Sequence, residues 1–361
     1  MKTFKPFILS FSILLAIACS SSDPSNNDSG SDNTDNNDPT PTDSWLIPVG
    51  DVEDGGPGKD GIPSIENPMF NLASETTMDD DELVVGIKIG NTIRAYPHFI
   101  LDYHEIVNDI IDSEDISISY CPLTGTAFAW ESSVEGGIES HFGVSGLLYN
   151  TNLILYDRET DSNWSQMRLQ CVNGDLIGDY PEIYPVIETN WGTWKNMYPD
   201  SEVLNTQTGF DKPYGNYPYG AYKTDHDLFL FVPSPLNPAL PNKQRVFTII
   251  DDDKAKVYKF SDFVNGNAVI DNFNGQNYLV IGNENIITAF EVNGIFNQLD
   301  YSFAFNNSDV FFTDNEGNSW SVFGKVIDGP RMGQKLNSPV NVTSMWFATA
   351  AFYPNPQIYI D

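Results

Sequence analysis

Apolar residues along this chain come mostly in short runs closed by Gly, Asn or Asp, a strand signature rather than a helical one. The clearest runs are Leu83–Ile89, Ile116–Tyr120, Ala127–Glu131, Leu153–Asp157, Arg245–Ile250, Tyr278–Ile281 and Ile286–Val292. Helical periodicity is scarce. Pro97 opens one short helix with Ile100, Tyr103 and Val107 on a single face. Thr189 caps another, which carries Trp191 and Trp194 until Pro199 stops it. Short strands with 27 Gly and 23 Pro to turn between them predict a mainly β fold with a few short helices, an α+β class.

The pattern also repeats. At an offset of 162 residues, Val84, Ile87, Tyr96, Val107 and Asp109 fall on Val246, Ile249, Tyr258, Val269 and Asp271. Thr126-Ala127-Phe128 falls on Thr288-Ala289-Phe290 at the same offset. With small gaps the series continues through Trp164-Ser165 on Trp320-Ser321, Trp191 on Trp346 and Tyr198-Pro199 on Tyr353-Pro354. An internally duplicated body is expected: copy one over about 50–205, a loop-rich bridge over 206–242, and copy two over about 243–361. Sequential repeats bury their faces against each other, which predicts one pseudo-symmetric body rather than two beads. Gly, Trp and apolar positions recur as backbone and core constraints should, whereas Cys121, Cys171, His104 and His141 meet Asn283, Val326, Gly266 and Ser302. Unusual chemistry is therefore expected in the first copy.

The first 44 residues read differently. Lys2 and Lys5 precede an apolar run from Phe7 to Ala18, too short to span a bilayer, and small residues lead to Cys19. Residues 1–18 are expected to be a signal peptide. Cys19 resembles the acylated cysteine of a bacterial lipobox, which would give a palmitate-bearing N-terminus. Ser20 after it resembles the sorting pattern of outer-membrane lipoproteins, on the periplasmic face or the cell surface. Residues 19–44 lack apolar side chains after the cysteine and read as a disordered acidic tether, leaving 45–361 as the folded body. Setting aside the two lysines and six aspartates before Trp45, the body carries a formal charge of −28. Such a surface repels phosphate backbones, so nucleic acid is not an expected partner; the membrane is, through the lipid. The acidic stretches Asp51–Asp54 and Asp251–Asp253 lack the spacing of a calcium loop.

Several motifs occur in fixed order. They are Gly55-Gly56-Pro57-Gly58-Lys59-Asp60-Gly61-Ile62-Pro63, Arg94-Ala95-Tyr96-Pro97, and His104-Glu105-Ile106-Val107-Asn108-Asp109. Tyr120-Cys121-Pro122-Leu123-Thr124-Gly125-Thr126-Ala127, Phe142 to Asn150, and Tyr156-Asp157-Arg158-Glu159-Thr160-Asp161-Ser162-Asn163-Trp164-Ser165-Gln166 follow. Together they resemble the domain-of-unknown-function 3179 family, from about Asp51 to Tyr359. The resemblance implies an exported prokaryotic protein and brings no activity with it. The family often carries a second Cys where this chain has Thr124, so a Cys-x-x-Cys metal or redox pair is not expected here.

The candidate chemistry follows from these residues. With Cys19 acylated, Cys121 and Cys171 are the remaining thiols in an oxidising compartment, and a disulfide between them is the first expectation. The competing one makes Cys121 a nucleophile or a thiolate ligand for copper or zinc, with His104 or His141 as partner. His98 and His104, six residues apart, do not share a helix face. Asp157, Arg158, Trp164 and Gln166 form the densest polar motif, read as a sugar-like recognition site or as a salt-bridged turn. Trp164 recurs as Trp320 and belongs to the core on this reading, while Asp157 and Arg158 align with Thr313 and Asp314. The leading expectation is a non-catalytic small-ligand- or metal-binding envelope protein with its site in copy one, at His104, Cys121, Asp157, Arg158, Trp164 and Gln166. Two alternatives stand beside it: a cell-envelope enzyme using Cys121 or a carboxylate, and a structural or assembly protein. No haem, phosphate-loop, nucleophile-elbow or zinc-protease motif is present.

Overall fold

In the computed structural model, the strand Leu83–Ile89 lies where the pattern predicted it. It pairs antiparallel with Val186–Asn190 on one side and with Thr92–Pro97 on the other. Glu202–Leu204 then adds in parallel to Thr92–Pro97, and Phe70–Leu72 closes that sheet. The structure describes residues 44–134, 138–139 and 141–360. The segments expected to be a signal peptide and a tether, with Cys19 between them, lie outside the described residues up to residue 43. Among the described residues no helix is long and apolar enough to cross a membrane.

Two further antiparallel sheets complete the first half. One orders Ile183–Tyr184, Thr126–Glu131, Glu114–Cys121 and Ile106–Ile111. The other orders Val52–Asp54, Phe142–Tyr149, Asn152–Asp157, Asn163–Ser165 and Gln170–Asn173. In the second half, Asn341–Met345, Arg245–Asp251, Lys254–Lys259 and Gln357–Ile358 pair antiparallel, antiparallel and parallel in turn. A three-stranded sheet from Asn267 to Glu291 and a four-stranded one from Tyr301 to Asp328 follow. Among the described residues the fold is mainly β with three short α-helices. Tyr96 donates to Asp109 beside Arg94 at 2.7 Å from the same carboxylate, and Tyr258 donates to Asp271 beside Lys256 at 2.6 Å.

The helices depart from expectation at their ends. Helix α1 spans His98–His104, with extended Pro97 at its N-cap. It stops because Glu105 adopts φ 58°, a left-handed conformation that redirects the chain into the strand Ile106–Ile111. Val107 therefore belongs to that strand and not to a helix face. Helix α2 spans Trp191–Met197, and its cap is Asn190, whose side chain accepts from the Thr193 N–H at 2.9 Å. The Thr189 hydroxyl is used elsewhere, donating to the Asn285 carbonyl at 3.1 Å. Helix α3 spans Trp346–Phe352.

Alternation along Leu83–Ile89 feeds two different cores. Val84 packs with Trp191, Trp194 and, from the second half, Leu279 and Trp320, while Val85 and Ile87 pack with Tyr96, Ile100 and Ile118. Gly86 is on the Trp194 side, where a Cβ would lie 2.0 Å from the indole. Only glycine admits that approach of ring to backbone. A third core joins Cys121, Trp130 and Trp164 to Val342, Met345 and Phe347. The two halves thus bury apolar surface against each other, at about 25 cal/mol for each Å² removed from water.

Candidate functional site

The hairpin that ends at Cys121 turns through Pro122–Gly125, with Gly125 at φ 64° and its N–H on the Cys121 carbonyl at 2.8 Å. Behind it runs a seam of buried polar side chains. Gln166 accepts from Thr126 at 2.7 Å and from Asn152 at 2.8 Å, and its amide donates to Ser119 at 3.0 Å. Asn152 also reaches Thr124 at 2.9 Å and receives the Met167 N–H at 3.0 Å. Each donor and acceptor is spent inside the seam, so Gln166 fixes the core and offers nothing to a ligand.

Cys121 and Cys171 are free thiols, both buried, and the expected disulfide is not formed. They belong to different sheets. The Cys121 thiol faces the Thr151 carbonyl at 3.7 Å, and the Cys171 thiol faces the Asn173 carbonyl at 3.4 Å. Burial, with the Glu105 carboxyl adding to it, pushes the Cys121 thiol up to about 11, and burial takes Cys171 to about 12. A thiol so protonated at neutral pH is neither nucleophile nor ready metal ligand. His104 does not supply the missing partner. Its Nδ1 lies 2.8 Å from the Pro63 carbonyl and its Nε2 2.5 Å from the Tyr214 hydroxyl, so both ring nitrogens are taken. Burial lowers its pKa against the pull of the Pro63 carbonyl, keeping the ring neutral. The copper or zinc site expected at His104 and Cys121 has no ligand set here: among the described residues no three His, Cys, Asp or Glu side chains gather to hold a metal.

Asp157 and Trp164 form a brace. The Asp157 carboxylate accepts from the Trp164 indole at 3.1 Å, and from the Thr160 N–H at 2.6 Å and its hydroxyl at 2.9 Å. In the second half Asp314 holds the Trp320 indole at 2.8 Å and the Asn318 amide at 2.9 Å. The structural counterpart of Asp157 is thus Asp314, one place from the Thr313 that simple alignment assigned. A carboxylate that recurs with its tryptophan serves the fold. Arg158 stands apart from it, half-exposed, donating to both oxygens of Asp60 at 3.0 and 2.9 Å, to Ser64 at 2.9 Å and to the Tyr156 hydroxyl. Burial pushes the Asp60 carboxyl up, but hydrogen bonds from Arg158 and Tyr156 outweigh it and hold the carboxyl below its usual range. Glu66 and His141, 3.1 Å apart, continue this cluster into an open cleft of about 370 Å³ beside Met69 and Phe70.

A cleft of about 660 Å³ between residues 88–93, 196–202 and 307–309 holds Lys88, whose pKa burial lowers, and the buried Tyr198 hydroxyl, which has no hydrogen-bond partner among the described residues. Two perturbed acids lie elsewhere, at α1 and its C-cap. His98 and Asp102, four residues apart, share one face of α1, Glu105 follows at its C-cap, and all three are buried. At the offset of 162, the second half has Phe260, Val264 and Asn267 in their places. Asp102 Oδ2 is 3.0 Å from Lys223 Nζ, while Oδ1 has no hydrogen-bond partner among the described residues. Burial raises Asp102 to about 6 even though Lys223 lowers it. Burial and then the Asp102 charge raise Glu105 to about 8, and no hydrogen bond to its carboxyl relieves this among the described residues. His98 Nε2 is 3.2 Å from Glu188, yet burial and the charges of Arg245 and Lys223 hold it neutral. Arg245 supplies the countercharge to Glu188 instead.

The roof over this face comes from the bridge. Tyr217 donates to the Pro122 carbonyl at 3.1 Å and meets Tyr219 edge to face at 5.5 Å, with Lys223 Nζ 4.0 Å from the Tyr217 ring centre. Tyr103 and His104 anchor the start of the same segment through Asn216 and Tyr214. Sequence reasoning weighed His98 only against His104, named Glu105 without giving it a role and passed over Asp102, although the spacing of His98 and Asp102 and the different residues at the offset of 162 were both readable. It passed over the tyrosines because a bridge between repeats reads as linker. A family described as "Protein of unknown function (DUF3179)" matches residues 59–356. No curated protein and no solved structure matches the chain.

Proposed function

We propose, for a chain that belongs to the DUF3179 family, that it is a non-catalytic small-ligand-binding protein of the cell envelope whose site is the acid-bearing face of α1 beneath residues 213–223. The observation that carries this reading is Asp102 Oδ1, a buried carboxylate oxygen left without a partner beside a second buried acid, Glu105. An unsatisfied buried acceptor costs about 1–3 kcal/mol, and a ligand that donates to it recovers that cost. The equivalent face in the second half is Phe260, Val264 and Asn267, which supports a duplicated scaffold with the site kept in one copy. The matching pairing of strands in both halves supports the same duplication. Lys2, Lys5, the apolar run to Ala18 and Cys19 support export and acylation, with the lipid as the membrane contact.

The test is a thermal-shift screen of polar small molecules on the full chain, with Asp102→Asn and Glu105→Gln alongside. A compound that stabilises the wild type and is lost from both variants supports the site. Stabilisation equal in all three proteins, or by nothing in the screen, refutes it. One observation favours a second reading as a cell-envelope enzyme: a carboxyl raised to about 8 still carries a proton at neutral pH and can donate it. On that reading the acid is Glu105, because the Cys121 thiol is too weakly acidic to serve.

A further inference from the structure

We infer that the site on α1 binds a small molecule through an ammonium group, and that the Lys223 side chain occupies the ammonium seat until such a ligand displaces it. The inference rests on the reading that this face is the binding site. Its geometry is that of a bound ammonium: Lys223 Nζ is 3.0 Å from Asp102 Oδ2 and 4.0 Å from the centre of the Tyr217 ring. A carboxylate on one side and an aromatic face on the other are how organic cations are held. The wall is fixed before anything binds, because Tyr217 is tied to the Pro122 carbonyl and packed against Tyr219.

Three features separate this from an ordinary ion pair. Asp102 is almost wholly buried, with 3% of its side chain exposed, whereas Lys223 is 35% exposed, so the cation enters from solvent and the anion does not leave. Lys223 uses one carboxylate oxygen and leaves the other, buried, without a partner, a vacancy that an ammonium with several N–H donors fills. The lysine hangs on a flexible four-carbon stem and swings into water while the bridge stays pinned at Tyr214, Asn216 and Tyr217. Exchange is of like for like: one ammonium leaves and another arrives. Glu82, whose charge adds to that of Asp102, makes the neighbourhood acidic, repels anions and selects the cation.

A tethered occupant competes at an effective concentration in the millimolar range, so its removal raises the affinity for a free ammonium by about tenfold or more. Isothermal titration of the full chain with ethanolamine and with cadaverine at pH 8.5 and fixed ionic strength reads this directly. Erythritol and acetate serve as neutral and anionic controls. Lys223→Met is expected to bind the cations at least about tenfold more tightly than wild type, and to lose that binding when Asp102→Asn is added. Lys223→Gln provides the same vacancy should the Met variant fail to fold, as judged by circular dichroism. Unchanged or weaker cation binding in a folded Lys223 variant overturns the inference, as does binding that survives Asp102→Asn or is matched by erythritol. If a compound from the thermal-shift screen still depends on Asp102 and Glu105 while the ammonium probes fail, the ligand class is wrong and the site stands. If nothing depends on Asp102, both fall.

Discussion

Glu105 gives the sharpest test of how the interior of the first half is built. The residue is 6% exposed and its carboxyl is raised from 4.5 to about 8, by burial first and by Asp102 second. In the unfolded chain the proton leaves near 4.5, and in the folded protein near 8. The folded state therefore binds more protons between these limits, and stability falls as pH rises through that window. The contribution is fully present below 4.5 and lost as pH passes 8. At 1.36 kcal/mol per pH unit, the window has a ceiling of about 5 kcal/mol. Glu105→Gln keeps the size of the side chain and removes the titration. Urea unfolding of both proteins between pH 5 and pH 9 is expected to give midpoints close together at pH 5. By pH 9 the Gln variant is expected to be more stable by about 2–5 kcal/mol. Asp102, raised to about 6, lowers the stability of both proteins over the lower part of the range and leaves the difference between them to Glu105. Curves that stay parallel from pH 5 to pH 9 would refute the claim that this carboxyl is sequestered as a neutral acid.

Three further outcomes are expected. Gly86→Ala places a methyl 2.0 Å from a Trp194 ring that is itself tied to Ser201 at 3.0 Å, and should cost about 1–3 kcal/mol; an unchanged melting temperature would contradict that packing. Asp157→Ala and Asp314→Ala each strand a buried indole N–H, and should each lower stability by about 1–3 kcal/mol without altering ligand binding, as differential scanning calorimetry with titration would read. Cys121 and Cys171 should resist alkylation in the native protein and each take one alkyl group after denaturation; a mass lighter by two hydrogens would show a disulfide instead.

Strand positions were legible in the chain because a short run closed by Gly, Asn or Asp is a local instruction: Leu83–Ile89 and Ile286–Glu291 lie almost where the pattern put them. The braces behind the recurring tryptophans were legible in part, since Trp164 and Trp320 mark them, but a one-residue slip hid Asp314 as the partner of Asp157's role. Helix α1 was legible in its start at Pro97, but its polar face and its end were not, for a physical reason. It is buried on several sides, with Ile100 and Leu101 in the core and His98, Asp102 and His104 also covered, so it has no amphipathic stripe to betray its chemical face. Its end depended on a left-handed Glu105 that no propensity announces.

By itself the sequence determined what is local: a β-rich body, the places of many of its strands, and a family. Tertiary structure decided which side chains meet. It set Lys223 against Asp102 across 121 residues of chain, sent Cys121 and Cys171 to different sheets, and spent the two nitrogens of His104 on the Pro63 carbonyl and on Tyr214 of the bridge. Such choices depend on how sheets pack and how loops return, and therefore on burial. Burial is what raises an ordinary aspartate to about 6 and lets a glutamate keep its proton at neutral pH, and it exists only once the chain has folded.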